Sequence, residues 1–135
     1  MQSMWLMKTE PGTYSYDDLE RDGKTLWDGV SNPVALKHIR SMRKGDLVFV
    51  YHTGDEKSVV GIAEVTSEPY ADPKSKDPRF AVINLKPVRK LVHPVSLASV
   101  KAEKIFKDFE LVRIPRLSVM PVPKPLWRYI LQMSR

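Results

Sequence analysis

The chain has 135 residues, 42% of them hydrophobic, which is enough for one real core and too apolar for a disordered tail. It has no cysteine, which excludes disulfides and thiolate metal sites and points to a reducing compartment. Lysine plus arginine (22) exceed aspartate plus glutamate (16), a net charge of +6 that favours polyanions, because cationic side chains release counterions condensed on a phosphate backbone.

Met4–Lys8 reads as a first strand, closed by Pro11-Gly12. Ser15 with Asp18 three residues on resembles a capping box and predicts a short helix over Tyr16–Arg21, stopped near Gly23. Asn32-Pro33 is a sharper start signal: Asn accepts from an orphan N–H while Pro fills the first turn. The helix it predicts, Pro33–Met42, buries Ala35, Ile39 and Met42 on one face. After Gly45-Asp46 comes a β-prone run, Leu47–His52, then a polar hairpin connection over Thr53–Ser58 and a return strand over Val59–Val65. Gly61 inside that strand implies a bulge or a close backbone approach. Glu68–Arg79, with its prolines and charges, reads as a surface loop. Strands are expected over Phe80–Leu85, Val88–Val92 and Phe109–Ile114, and helices over Ser96–Ala102 and Pro125–Met133.

That order predicts an α+β, mostly β fold: a partly closed barrel of five to six strands with short helices at its edges, forming one domain over residues 1–135. Helices and strands do not alternate as a doubly wound sheet requires, and the phosphate-binding patterns GxGxxG and GxxxxGKS are missing. His38, His52 and His93 lie too far apart for a zinc pair, so no metal or cofactor is expected. No apolar run approaches the roughly 20 residues that cross a bilayer. Met1–Lys8 is too short and lacks the basic start of a signal peptide, so a cytoplasmic location, or a nuclear one in a eukaryote, is the expectation.

Four segments carry more polar and aromatic character than a plain barrel needs. In Lys8-Thr9-Glu10-Pro11, strand alternation puts Lys8 and Glu10 on one face and Thr9 on the other, with Pro11 able to bend all three towards one mouth. Trp27-Asp28-Gly29-Val30-Ser31-Asn32 sets an indole beside a helix N-terminus, an arrangement suited to a planar ligand, although an indole more often serves core packing. Tyr51-His52-Thr53 ends a hydrophobic strand, and Arg116–Val122 reads as a crossover that lines the core.

In this order and at these distances the segments resemble the EVE domain, a branch of the PUA-like superfamily related to the YTH readers of methylated adenine. The resemblance rests on Trp5–Pro11, Tyr14-Ser15 with Leu19, Trp27–Val30 with Asn32, and Met42 with Gly45-Asp46-Leu47 and Tyr51-His52. It continues through Val60–Val65, Tyr70 with Asp72-Pro73, and Arg116–Val122, and so spans essentially the whole chain. It implies a PUA-like barrel whose pocket receives a flipped or free base, with DNA or RNA carrying a modified base as partner and modified cytosine in DNA as the leading ligand. Carried over by position, Trp27 is a stacking wall, and Lys8, Thr9, Glu10, Ser31, Asn32 and His52 supply polar contacts. Tyr51, Met120 and Pro121 shape the cavity, and Arg40, Arg43, Lys44 and Arg79 are the phosphate candidates. The chain departs from the family where Ser31 stands for an arginine, Pro33 for an aromatic residue, and Ala35-Leu36-Lys37 for Ala-Arg-Asn. Two other functions fit the same sequence. One is a hydrolase like the PUA-like ASCH proteins, built on Lys8-Thr9-Glu10, which requires an activated nucleophile within reach of a base. The other is a protein-interaction module with a vestigial pocket.

Overall fold

A computed structural model describes residues 2–135; Met1, the first residue of the expected domain, lies outside them. The strands are β1 (Met4–Thr9), β2 (Thr25–Trp27), β3 (Leu47–His52), β4 (Ser58–Val65), β5 (Tyr70–Ala71), β6 (Ala81–Ser96) and β7 (Val119–Pro121). The helices are α1 (Tyr16–Asp22), α2 (Pro33–Ser41), α3 (Leu97–Lys101), α4 (Glu110–Arg113) and α5 (Lys124–Met133). The main sheet runs β2-β6-β4-β3-β1-β7, with β5 beside β6. It is antiparallel except where β1 lies parallel to β3. The sheet curls into a half-barrel, and α2, in contact with both β7 and β6, spans the gap between its edges.

Local chemistry explains most element starts. The Ser15 hydroxyl accepts from the Asp18 N–H and the Asp18 carboxylate accepts from the Ser15 N–H, completing the capping box of α1. Gly23, at φ 75°, closes that helix in the left-handed conformation glycine tolerates. Asn32 Oδ1 accepts from the N–H groups of Val34 and Ala35 and so caps α2. Ala35, Ile39 and Met42 are fully buried.

Gly61 serves both purposes read from the sequence. The β4 register shifts on either side of it, and a Cβ there would lie 2.6 Å from the Tyr16 ring. Tyr16 is pinned in place because its hydroxyl donates to the Ile62 carbonyl at 2.6 Å. On the other side of the sheet Trp127 of α5 stacks on Phe49 at 3.6 Å between ring centroids. The buried Asp46 carboxylate ties the turn before β3 to the start of the chain: it accepts from Trp5 Nε1 (2.9 Å) and from the N–H groups of Ser3 and Arg43 (both 3.0 Å).

Three expectations are corrected. Phe109–Ile114 is not a strand; it holds α4, whose backbone is satisfied locally by bonds from Val112 and Arg113 to the Phe109 carbonyl. A short apolar run has no period to separate helix from strand, and here Phe109 packs against Phe106 and not beside a sheet edge. Phe80–Leu85 and Val88–Val92 belong to a single strand, β6, which passes through Pro87 opposite Ala63 at a register shift. Thr25–Trp27, which had no expected element, and Val119–Pro121, read as part of a crossover, are the two edge strands.

Candidate nucleic-acid interface

Strand alternation divides the candidate residues. In the parallel pairing Lys8 stands beside Tyr51 and Thr9 beside His52, so each pair shares one face of the sheet and the two pairs face opposite ways. On the Thr9 face the polar groups of Thr9 and His52 are engaged with the approach to α1 and with Glu56. Thr9 Oγ1 donates to the Tyr14 carbonyl at 2.7 Å. His52 Nε2 accepts from the Tyr16 N–H at 3.0 Å, so Nδ1 carries the hydrogen and donates to Glu56 Oε1 at 2.8 Å.

On the Lys8 face a cavity of about 310 Å³ opens, lined by Lys8, Tyr51, Thr53, Gly54, Lys57, Leu97, Lys101, Leu111 and Pro115. Lys8 Nζ donates to the Pro115 carbonyl at 2.8 Å and lies 5.6 Å from the centre of the Tyr51 ring. Burial pulls the Lys8 ammonium below the usual lysine pKa. Glu10 lies beside this cavity, accepting from the Thr53 hydroxyl (3.2 Å) and the Gly12 N–H (3.4 Å), so Thr9 alone of the three faces away. The expected convergence of Lys8, Thr9 and Glu10 at one mouth is therefore corrected: Pro11 does not overcome the alternation of β1.

A second cavity, about 270 Å³, lies at the far end of the sheet and is lined by Gly29, Val30, Ser31, Asp72, Ser75, Phe80, Ala81 and Val82. Two contacts draw its walls together. Arg40 of α2 donates to the Arg79 carbonyl at 3.0 Å, and Lys74 reaches Asp28 at 3.8 Å. Its apolar lining is Val30, Phe80 and Val82 and its polar lining Ser31, Ser75 and Asp72, of which Asp72 Oδ1 accepts from the Lys74 N–H (2.9 Å) and Ser75 Oγ from the Asp77 N–H (3.1 Å).

Trp27 ends β2 directly before this segment. It is 8% exposed, meets the Tyr14 ring edge-on at 6.5 Å and lines neither cavity. Asn32 spends its oxygen on the α2 cap. Met120 is fully buried, and Pro121 is registered against Trp5.

Among the phosphate candidates, Arg40 and Arg79 sit at the second cavity's rim, although Arg79 is also held by Asp77 at 2.6 Å, which raises the guanidinium pKa and lowers that of the carboxyl. Arg43 folds back onto the carbonyls of Arg40 and Met42, and Lys44 is exposed. The part played by the loop after β5 is new: Asp72 counted only towards the family resemblance, Ser75 and Phe80 carry no motif, and all three meet Ser31 only through the fold. Among the described residues no cluster of histidine, aspartate or glutamate could hold a metal ion, and no helix is long and apolar enough to cross a membrane.

The family model of the EVE domain matches residues 3–133. The solved structure of Rpa0253 from Rhodopseudomonas palustris is 39% identical, with a TM-score of 0.93 over 98% of this chain and 92% of that one. Human thymocyte nuclear protein 1 is 28% identical over 99% of this chain and 75% of its own length. The crystal structure of human THYN1 in complex with 5-methylcytosine-containing DNA superimposes with a TM-score of 0.89 at 27% identity, covering 99% of this chain and 98% of that one. An ASCH protein from Zymomonas mobilis shares the fold alone, with 11% identity and a TM-score of 0.63.

Proposed function

The chain belongs to the EVE domain family, and from that premise we propose that it reads a modified base in DNA, 5-methylcytosine first, without transforming it. The observation that carries this reading is the likeness, over nearly the full length of both chains, to human THYN1 bound to 5-methylcytosine-containing DNA. The charge of +6 supports it, since phosphate neutralisation supplies the sequence-independent share of affinity.

We assign the base to the second cavity, behind Trp27. There Val30 and Phe80 offer apolar surface, Ser31, Ser75 and Asp72 offer donors and acceptors for a base edge, and Arg40 stands at the rim for the phosphates. Trp27 acts as the buttress that fixes Asp28–Ser31, its indole shielded by Tyr14. A base enters such a cavity only after unstacking, which costs a few kcal/mol, so the rim contacts are part of the recognition and not an accessory to it.

Binding without turnover is favoured because Thr9 faces away from Lys8 and Glu10. Thr9 donates to a carbonyl, and no general base lies within hydrogen-bond reach of its hydroxyl. A DNA ligand in turn implies residence wherever the cell keeps its DNA.

The test is a panel of short duplexes with one 5-methylcytosine, another modified base or none, titrated at two salt concentrations. The methylated duplex should bind tightest, with affinity falling steeply with salt for all. Ser31→Phe, which fills the cavity from an exposed position, should erase the preference while leaving salt-dependent binding. Arg40→Gln should weaken all duplexes alike and lower the salt slope by about one. Equal affinity for methylated and plain duplexes in the native chain would sink the reading.

A further inference from the structure

The cavity on the Lys8 face shares no lining residue with the second cavity and is built of different chemistry. Three lysines, Lys8, Lys57 and Lys101, come to it from β1, the β3–β4 connection and α3, and the one carboxylate beside it, that of Glu10, is bonded to the Thr53 hydroxyl. Among the described residues none of the three lysines takes part in an ion pair. Arg21, Lys74, Arg79 and Lys90, by contrast, each face a carboxylate.

Lys57 is held at a backbone cost. Its φ is +44°, a region that non-glycine residues seldom occupy, and the Leu97 N–H locks it there by donating to the Lys57 carbonyl at 2.8 Å. Lys8 spends one of its three hydrogens on Pro115 and keeps two. Below the charges lie Leu97, Leu111 and the Tyr51 ring, an apolar floor with an aromatic face. A concave space of this kind falls at the small end of the range of about 300–1,000 Å³ that holds small molecules.

We propose that this cavity is a second ligand site and takes the phosphate monoester of a nucleotide, the phosphate between Lys8, Lys57 and Lys101 and the organic part on Leu97, Leu111 and Tyr51. A monoester matches the site better than a chain-internal diester. It carries about −1.5 to −2 charge at neutral pH, against the single charge of a diester, and so answers more of the three cations. The apolar floor selects an organophosphate over inorganic phosphate. Such a monoester has two sources, a free mononucleotide or the 5′-phosphate at the end of a strand.

Calorimetric titration of the full chain with deoxycytidine monophosphate, inorganic phosphate and deoxycytidine tests the site. The monophosphate should bind, and each of the other two about tenfold more weakly or worse, because each lacks half of the contacts. The paired variant Lys57→Asn with Lys101→Gln removes two charges at exposed positions, and asparagine accepts the left-handed backbone. It should weaken monophosphate binding about tenfold or more while leaving the thermal midpoint and the binding of an internally methylated duplex unchanged. Leu97→Trp, which fills the cavity without touching a charge, should give the same loss.

A duplex with a 5′-phosphate compared with its 5′-hydroxyl twin separates the sources. A preference for the phosphorylated end that vanishes in the paired variant assigns the strand end, and equal binding of the twins alongside monophosphate binding assigns the free nucleotide. No monophosphate binding at millimolar concentration, or binding unchanged in the paired variant, overturns the proposal. So does loss of methylated-duplex binding in the paired variant, since the cavity would then belong to the duplex interface.

Discussion

Residues 8 and 9 are neighbours in sequence and stand in different worlds. Thr9 and His52 face α1, where every side-chain donor and acceptor is met within the chain, down to both ring nitrogens of His52. Lys8 and Tyr51 face a cavity whose three lysines take part in no ion pair among the described residues. The lesson is that polarity at a strand end says little about function until its hydrogen bonds are traced. A satisfied polar group holds the fold, whereas an unspent cation is available to a ligand.

The comparison makes the sealed face the costly one to disturb. Gly61→Ala should be the most severe change, destabilising by about 3 kcal/mol, because the new methyl meets a Tyr16 ring that cannot retreat while its hydroxyl is bound to Ile62. Chemical denaturation measures this, and a loss within error of zero would show that α1 is free to shift. His52→Ala comes next, at about 2 kcal/mol, since it strands the Tyr16 N–H at the start of α1. A change confined to the Glu56 contact would instead leave stability nearly intact.

Tyr16→Phe should cost about 1 kcal/mol at neutral pH. It should also alter the alkaline limb. Burial, with a smaller contribution from nearby Glu20, pushes the Tyr16 phenol up from 10.0 to about 12. The fold therefore favours the neutral phenol, and the stability this confers is whole below pH 10 and lost as pH rises through about 12. Denaturant midpoints at pH 9 and pH 11 should fall less in the phenylalanine variant than in the native chain.

Much of the sealed face was legible before any coordinates, because its causes are local. Ser15 with Asp18, Asn32 with Pro33, and Gly61 each announce a cap, a helix start or a close approach within a few residues. What was not legible depends on distant partners. Strands β2 and β7 have three residues each, too few for alternation to register, and α4 differs from a strand only by what Phe109 packs against. The same holds for the sites. Alternation did place Lys8 and Thr9 on opposite faces, but that Lys8 would meet Lys57 and Lys101, or Ser31 meet Asp72 and Phe80, is decided by strand order.

The smallest expected effect is the one that most sharpens the contrast. Lys8→Met keeps the aliphatic stem that packs along Tyr51 and removes the ammonium and its bond to Pro115. If the charge on the open face is held for a ligand, the fold does not need it, and the change in stability should stay within about 0.5 kcal/mol. Desolvation already opposes the buried ammonium, as its lowered pKa records, so removing the charge also removes a small burden and pushes the result towards zero or slight stabilisation. Thermal unfolding of the two proteins side by side decides it. A loss as large as that of His52→Ala would mean that the Pro115 bond is structural and that both faces of β1 serve the same purpose.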